Sequence, residues 1–324
     1  MPESEGQFDR ENQKRSLEEQ LKKPEELDLP GGRVPVLDVS PEHAKTEVPT
    51  MIAPCRGVRP DVYRYNIEVL VGAGRRVVAV DAIHGVDTQE EGDKPHIEQR
   101  KAAAMLQTLQ AKGIDRTDVL AHSEGGLYAV MAAVQEPARF RNLVLVNPAG
   151  IIGRDNPWRF GKGFIEDSKV EAARRAHKTD RDATDPKQFL KDILAKPERA
   201  FQEAWAISQS DIRDMLRYLK EKGVGVSIIH AADDRGFPME RVQVERRPNE
   251  REKEYQDRVE KVRRGDAATA GESRGNINTT MVDGFYSVEG SHNELIQRPD
   301  LYTKLVEHAL TAMEKKHEKS ENKT

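Results

Sequence analysis

The segment around Ser123 favours a serine nucleophile. Ala121 and Gly125, both small, lie two residues before and two residues after it, and an apolar helical stretch begins at Leu127. A strand-like run precedes the serine, so the spacing predicts a sharp turn between a strand and a helix. Such a turn strains the serine backbone, and bulky neighbours would clash there. The hydroxyl would stand near free N–H groups of the helix start, which can bind an oxyanion; an ordinary helix-capping serine is the alternative.

Strands and helices that could position this serine alternate along the chain from about residue 33. Short apolar runs are bounded by turn residues at 34–39, 48–54, 75–82, 118–123, 142–148, 224–231 and 281–288. The middle runs are nearly continuous in Val, Leu, Ile and Ala, which is typical of parallel strands covered on both faces. Helical spacing of apolar residues occurs between them, at 61–70, 97–109, 127–134 and 301–313. The sequence therefore predicts an α/β fold with a mostly parallel central sheet flanked by helices.

Two segments and two tails depart from this alternation. Residues 151–222 are helical in character and predict a helical cap, and residues 239–275 predict a charged, solvated helical insert. Both ends of the chain are highly charged and cannot bury enough apolar surface to offset the entropy of ordering, so we expect disorder or a loosely packed helix there. The predicted division is a tail at 1–29, a core at 30–150 and 223–313, the cap, and a tail at 314–324.

The composition excludes several classes of protein. The 324 residues carry 52 Lys and Arg against 56 Asp and Glu, and this net charge of −4 gives no general attraction to nucleic acid or to an anionic membrane. A single cysteine, Cys55, excludes a disulfide framework. The first residues lack the apolar core of a secretory signal. No run approaches the ~18 apolar residues of a membrane span, so a cytoplasmic protein is the expectation.

No cofactor or metal is expected from the sequence. Gly72 and Gly74 look like the start of a dinucleotide fingerprint, but they precede a strand-like run rather than a helix. A pyrophosphate would therefore have no helix N-terminus to bind. The histidines lack the paired spacing of metal ligands. We interpret His122, beside the serine, as a packing or loop-supporting group rather than a second base.

The turn around Ser123 is similar to the nucleophile elbow of the α/β-hydrolase superfamily, whose usual motif is Gly-x-Ser-x-Gly. Ala121 replaces the first glycine and is small enough for the turn. The resemblance extends over about residues 33–313, and the two interruptions fall where that superfamily commonly carries a cap and loops. It implies an α/β-hydrolase fold with a helical cap insertion, and the order serine, acid, histidine along the chain.

The resemblance implies His292 as the base and Asp234 as the acid. His292 follows the last strand-like run and precedes the final helix, as in the superfamily's histidine loop; an exposed loop histidine is the alternative. The string at 231–238 resembles the superfamily's Gly-x-x-Asp-x-x-x-Pro loop, whose register selects Asp234, with Asp233 as the alternative. The carboxylate would fix the tautomer of His292 and stabilise the imidazolium formed during attack.

The resemblance also implies an oxyanion hole of two backbone N–H groups, one from Glu124 and one from the loop after 48–54. Arg56 is the expected second donor. The superfamily commonly has His-Gly in that loop, whereas this chain has Pro54 and Cys55, and proline supplies no N–H. The Arg56 side chain would suit a substrate carboxylate, with a surface arginine as the alternative. We interpret Cys55 as an inert buried thiol.

The predicted cap would form an apolar pocket for a small-molecule acyl substrate through Trp158, Phe160 and Phe164. Trp205 is a further large apolar anchor of that segment. A serine at position 123 disfavours the dehalogenase and epoxide-hydrolase branches of the superfamily, which use an aspartate there. These implications favour a serine hydrolase acting on an ester, with amide, thioester, lactone and vinylogous C–C bonds left open.

Two other functions remain open at this point. One is a non-catalytic binding protein of the same fold, which the altered loop at Pro54 and the charged insert favour. The other is an acyltransferase, in which an alcohol replaces water as the acyl acceptor. The sequence specifies neither the substrate nor the oligomeric state.

Overall fold

One mixed sheet of eight strands runs through the part of the chain that the structure describes. The computed structural model describes residues 17–20, 23–30, 32–81, 97–175, 197–242 and 280–321, with the single positions 251, 253, 254, 257 and 277. The strands are β1 (Glu25–Leu29), β2 (Gly32–Val39), β3 (Thr50–Ala53), β4 (Val77–Val80), β5 (Thr117–His122), β6 (Phe140–Val146), β7 (Gly225–Ala231) and β8 (Gly284–Val288). Their order is β1-β2-β4-β3-β5-β6-β7-β8. The β1–β2 and β2–β4 pairs are antiparallel and all other neighbours are parallel, which confirms the predicted mostly parallel sheet.

Helices cover both faces of this sheet. Within the described ranges they are α1 (Arg64–Gly72), α2 (Ile97–Ala111), α3 (Glu124–Gln135), α4 (Pro157–Arg175), α5 (Pro197–Gln209), α6 (Arg213–Glu221), α7 (Met239–Val242), α8 (Glu294–Gln297) and α9 (Pro299–Glu321). Residues of α2, α3 and α6 pack with Val119 and Ala121 on one face, and residues of α1 and α9 pack with Leu120 on the other. Successive side chains of β5 thus enter opposite apolar layers, which explains its continuous apolar sequence and confirms the predicted α/β fold.

The carboxyl ends of the central strands meet at one edge of the sheet. In the parallel register, Ala121 of β5 lies opposite Ala53 of β3, and His122 lies opposite Val146 of β6. Val146 in turn pairs with Ile229 of β7. Residues that directly follow these strands therefore come together, and this is the edge at which open α/β sheets bind their ligands.

Strand β1 corrects the expectation that residues 1–29 form a disordered tail. It pairs with β2 from Glu25 opposite Val36 to Leu29 opposite Gly32. Leu27 and Leu29 pack against the core, while the acidic residues of the strand are exposed. Alternation of leucine with acid is the pattern of a half-buried strand, and the high overall charge of the segment obscured it. Residues 1–16 lie outside the described residues.

Helix α9 continues to Glu321, so the predicted tail at 314–324 is helical where the structure describes it, and at Glu314 it is attached to the sheet rather than loosely packed. Glu314 accepts hydrogen bonds from Arg75 at 2.8 Å and from Arg141 at 2.7 Å. Arg75 is fully buried, and a buried guanidinium needs anionic partners. The charge that suggested a solvated tail therefore serves to attach the helix to the sheet.

The predicted cap segment contains α4, α5 and α6, and its residues 176–196 lie outside the described part of the chain. Of the predicted charged insert, the structure describes α7 and a few single positions, so that prediction concerns mostly residues outside the described ones. Within the described ranges, no helix combines the length and apolar character needed to cross a bilayer.

Candidate active site

Ser123 stands on the turn between β5 and α3 with a strained backbone. Its φ of 54° and ψ of −119° lie in a region that non-glycine residues rarely occupy. Three hydrogen bonds hold it there: its N–H donates to Val146 O at 2.9 Å, and its carbonyl accepts from the N–H groups of Gly126 and Ala149, each at 2.9 Å. Strain of this kind persists only where the surroundings fix the chain, so the turn is built to present this side chain.

The two glycines after Ser123 are required by close packing of the loops that follow β3 and β6. A Cβ atom on Gly125 would overlap the carbonyl oxygen of Ala53 and come within 2.7 Å of that of Pro54. A Cβ atom on Gly126 would come within 2.8 Å of the Pro148 side chain. The glycine two residues after the serine therefore lets the start of α3 approach the loop that begins at Pro54.

In the structure, the predicted Ser123 hydroxyl, His292 imidazole and Asp234 carboxylate form one hydrogen-bonded chain. Ser123 Oγ lies 2.8 Å from His292 Nε2, and His292 Nδ1 lies 2.8 Å from Asp234 Oδ2. All three side chains are almost fully buried. Asp233, the alternative acid, is exposed, and its N–H donates to Gly290 O. Asp234 is therefore the carboxylate that contacts His292.

The Asp234 carboxylate is held in its ionised form. Burial alone would raise its pKa, but the electrostatic interaction and hydrogen bond with His292, together with the Phe237 N–H at 2.8 Å from Oδ1, keep the pKa below its usual value. An ionised Asp234 accepts the proton on Nδ1 of His292, which leaves Nε2 as the acceptor for the Ser123 hydroxyl. This is the arrangement in which the imidazole can remove the serine proton.

Two side chains hold the backbone of His292 by hydrogen bonds to its carbonyl. The His292 carbonyl accepts from His122 Nε2 at 3.0 Å and from Asn147 Nδ2 at 2.8 Å. Burial lowers the pKa of His122 to about 3, so this imidazole is neutral, with its proton on Nε2. Its Nδ1 then accepts from the Tyr63 hydroxyl at 2.9 Å, and the Tyr63 oxygen accepts from Cys55 N–H at 3.0 Å. His122 thus supports the loop, as the sequence indicated, through these hydrogen bonds, and its ring also stacks on His292 with centroids 5.5 Å apart.

Helix α4 places aromatic side chains against the imidazole. The ring of Phe164 contacts His292 edge to face with centroids 4.6 Å apart, and Phe237 lies 5.3 Å from it. Phe160 packs on Phe164 at 4.6 Å. The structure therefore brings Phe160 and Phe164, which lie four residues apart on one helix face, to the candidate site.

Trp158 departs from the prediction, because 88% of its surface is exposed. It lies two residues before Phe160, and positions two apart on a helix point in different directions. The expectation that Trp158 lines an apolar pocket is thereby corrected. Trp205, expected to anchor the cap segment, is likewise 49% exposed and stacks on Phe201 at the surface.

Asp167 of α4 holds the loop that carries the acid, a contact that the sequence analysis missed. Its Oδ2 accepts from the N–H groups of Arg235 at 3.0 Å and Gly236 at 3.3 Å. Burial raises the pKa of Asp167 to about 6, and the neighbouring Asp234 carboxylate adds to the shift. A Cβ atom on Gly163 would overlap the Arg235 carbonyl, so α4 is packed tightly on this loop.

The two residues predicted to supply oxyanion donors lie on adjoining segments. Glu124 is the first residue of α3, where backbone N–H groups have no intrahelical acceptor. Arg56 follows Cys55 in the loop after β3, and the Tyr128 hydroxyl of α3 donates to Pro54 O in that loop at 3.1 Å. The Arg56 side chain, expected to suit a substrate carboxylate, donates from Nε to Glu203 Oε2 at 3.1 Å.

Residues that the sequence analysis missed had weak signals. Asn147 ends an apolar strand and has a positive φ of 46°, and a polar residue directly after a buried strand could have been noted. Tyr63 and Asp167 lie within helical patterns, where the sequence gives no sign of a hydrogen-bonding role. Among the residues that the structure describes, no group of His, Cys, Asp or Glu is placed to hold a metal ion.

Comparisons with known proteins agree with this architecture. A family model described as alpha/beta hydrolase fold matches residues 60–257. A 2-hydroxy-6-oxo-2,4-heptadienoate hydrolase of Pseudomonas putida is 26% identical over 202 residues, which cover 57% of this chain and 67% of that protein.

Solved structures of hydrolases superpose over most of the chain. A thermophilic esterase from Thermogutta terrifontis has a TM-score of 0.57 and 14% identity, over 90% of this chain and 99% of its own. An enol-lactonase from Burkholderia xenovorans has a TM-score of 0.51 and 17% identity, over 89% of this chain and all of its own. At such low identity these likenesses concern the fold.

Proposed function

The chain belongs to the alpha/beta hydrolase family, and we propose that it is a serine hydrolase that cleaves a carboxylic ester or related acyl bond of a small molecule. One observation carries the proposal: the unbroken hydrogen-bond chain from Ser123 Oγ through His292 to Asp234, with both links at 2.8 Å. A buried serine hydroxyl with a correctly oriented base is the minimum that acyl transfer requires.

In the proposed reaction, His292 Nε2 takes the hydroxyl proton while Ser123 Oγ bonds to the substrate carbonyl carbon. The resulting oxyanion would accept hydrogen bonds from the backbone N–H groups of Glu124 and Arg56. Collapse of this intermediate breaks the bond to the leaving alcohol, which receives the proton from Nε2, and leaves an acyl-enzyme. Water, deprotonated by His292, then releases the carboxylic acid and restores the serine.

Phe164 and Phe237 support an apolar approach to this centre, because both rings pack directly on the imidazole. Apolar walls with few polar groups are typical of small-molecule sites. We propose that the acyl part of the substrate lies along these rings, and that Phe160 supports Phe164 from behind.

The test is labelling with a fluorophosphonate probe, together with turnover of short and medium p-nitrophenyl esters. We expect the wild-type protein to be labelled and to hydrolyse the esters, and Ser123→Ala to lose both activities. Ser227→Ala, which removes a buried serine on β7, should retain both. A wild-type protein without labelling or turnover, or labelling that survives Ser123→Ala, would favour a non-catalytic binding protein of this fold instead.

A second candidate reaction is favoured by the relative from Pseudomonas putida, whose name specifies a 2-hydroxy-6-oxo-2,4-heptadienoate. That compound has no ester or amide linkage, so its hydrolysis must cleave a carbon–carbon bond. Loss of dienoate absorbance on addition of the protein, with ester turnover slower, would favour this reaction over ester cleavage. Formation of a new ester when an alcohol is added would instead favour an acyltransferase.

A further inference from the structure

A buried ionic cluster joins four segments of the chain beside the candidate site. Glu203 of α5 places Oε1 3.0 Å from Lys101 Nζ of α2, and Oε2 3.1 Å from Arg56 Nε in the loop after β3. Lys101 Nζ also lies 2.8 Å from Glu124 Oε2, at the start of α3. The side chains of Lys101 and Glu124 are fully buried, and those of Glu203 and Arg56 are 6% and 20% exposed.

The cluster ends on the two residues whose backbone N–H groups we assign to the oxyanion hole. The Arg56 side chain contacts Glu203 directly, and the Glu124 side chain contacts it through Lys101. A buried charge is tolerated only where its partners keep their geometry. Movement of either backbone segment would stretch one of these buried ion pairs, so the cluster constrains the distance between the two segments.

The loop at Arg56 has particular need of such a constraint. Pro54 has no N–H, and the Cys55 N–H donates to the Tyr63 hydroxyl at 3.0 Å. The Arg56 amide is the next one along the chain, and Glu203 holds the Arg56 side chain. The carboxylate comes from α5, which lies in the segment that interrupts the α/β core.

We propose that Glu203 is a positioning residue that sets the oxyanion hole from the cap segment. By binding Arg56 directly and Glu124 through Lys101, it keeps the two backbone N–H groups at the separation that the tetrahedral intermediate requires. The inference rests on the proposed serine hydrolase function. The position of α5 then affects how well the oxyanion hole stabilises the transition state, in addition to any contact that the cap makes with substrate.

The test compares Glu203→Gln with Glu198→Gln, an exposed glutamate on the same helix. The glutamine keeps the size of the side chain and removes its charge. The measurements are kcat and KM for p-nitrophenyl acetate, and the dissociation constant of phenylboronic acid, which forms a tetrahedral adduct with an active serine. Removal of one oxyanion donor lowers kcat by about 10²–10³-fold, so a displaced donor should lower it by roughly 10–100-fold.

We expect Glu203→Gln to lower kcat by that factor, to leave KM nearly unchanged and to weaken phenylboronic acid binding in parallel. Glu198→Gln should match the wild type. Arg56→Gln, which breaks the same ion pair from the other side, should lower kcat similarly, and the double variant should add little to either single change. This second route keeps the test decisive if Glu203→Gln does not fold.

Two results would overturn the inference while the proposed function stands. In the first, the wild type is labelled but Glu203→Gln or Arg56→Gln has unchanged kcat and unchanged affinity for phenylboronic acid. In the second, these variants show a rise in KM alone. The latter would assign the cluster to substrate binding. A wild type that is neither labelled nor active would instead overturn the proposed function, and this inference with it.

Discussion

Two buried polar clusters lie at opposite ends of strand β5, and they differ in the chemistry of their partners. At the amino end, Asp118 binds the guanidinium groups of Arg75 and Arg141, and Glu314 of α9 bonds to both arginines. At the carboxyl end, a hydroxyl and an imidazole form a chain that runs from Ser123 to Asp234. Both clusters are buried, so burial does not distinguish them.

The difference is that only the carboxyl-end cluster can move a proton. Arginine keeps its proton at every accessible pH, so the amino-end cluster can only hold the sheet and α9 together. Imidazole gains and loses its proton near neutral pH, and His292 links a hydroxyl to a carboxylate. A buried polar cluster can therefore take part directly in proton transfer only when one of its members gains and loses a proton near neutral pH.

Asp234→Asn should give the largest effect and tests the carboxyl end. The amide cannot accept the Nδ1 proton as a carboxylate does, so His292 would adopt the wrong tautomer. We expect kcat for p-nitrophenyl esters to fall about 10⁴-fold, equivalent to about 5.5 kcal/mol. The exposed Asp233→Asn is the matched control and should change kcat by no more than about twofold. An equal loss in both variants would contradict the assignment.

Arg75→Met should give the next largest effect and tests the amino end. It removes the fully buried guanidinium and leaves Asp118 and Glu314 with fewer partners. We expect the free energy of unfolding, measured with urea, to fall by about 3–5 kcal/mol. Arg33→Met, which breaks an exposed pair with Asp28, should leave it nearly unchanged. The kcat of the folded Arg75→Met variant should match that of the wild type. A large loss of kcat with unchanged stability would contradict the view that the cluster at the amino end of β5 is structural.

The sequence could predict the features that depend on local pattern. Continuous apolar runs predicted the parallel strands, because a strand covered on both faces has no polar side. The small residues around Ser123 predicted the turn, because steric limits act between near neighbours in the chain. The register of the loop at 231–238 indicated Asp234, which the structure places against His292.

Features that depend on distant partners could not be predicted in this way. Glu203 reads as an ordinary charged residue of an amphipathic helix, and only the fold brings it to Lys101 and Arg56. Glu314 falls in the charged end that the sequence predicts to be disordered or loosely packed, because nothing local indicates a buried arginine more than two hundred residues away. The prediction for Trp158 was wrong for a different reason. Trp158 and Phe160 are two residues apart, and this spacing alone puts them on different faces of a helix.

Asp167→Asn should give a smaller effect, and it tests what happens to a buried carboxylate without a cation. Within the described residues, Asp167 has two backbone N–H donors and no Lys or Arg in ion-pair contact, in contrast to Asp155, which binds Arg159 and Arg241. Burial raises the pKa of Asp167 to about 6, whereas the pKa of Asp155 is lowered because its two arginines outweigh its burial.

The sign of the pH dependence follows from that raised pKa. The protonated form of Asp167 is favoured in the folded protein, so its contribution to stability is present below the unfolded pKa of about 3.9 and is lost as pH rises through about 6. Asparagine keeps the acceptor oxygen for Arg235 and Gly236 without the charge. We expect Asp167→Asn to match the wild type near pH 4 and to exceed its free energy of unfolding by about 2 kcal/mol above pH 7. Urea unfolding at several pH values across this range measures the difference in free energy of unfolding between the two proteins. A difference that does not change with pH would contradict the prediction. It would show that two backbone N–H groups stabilise the charge of Asp167 as well as two guanidinium groups stabilise that of Asp155.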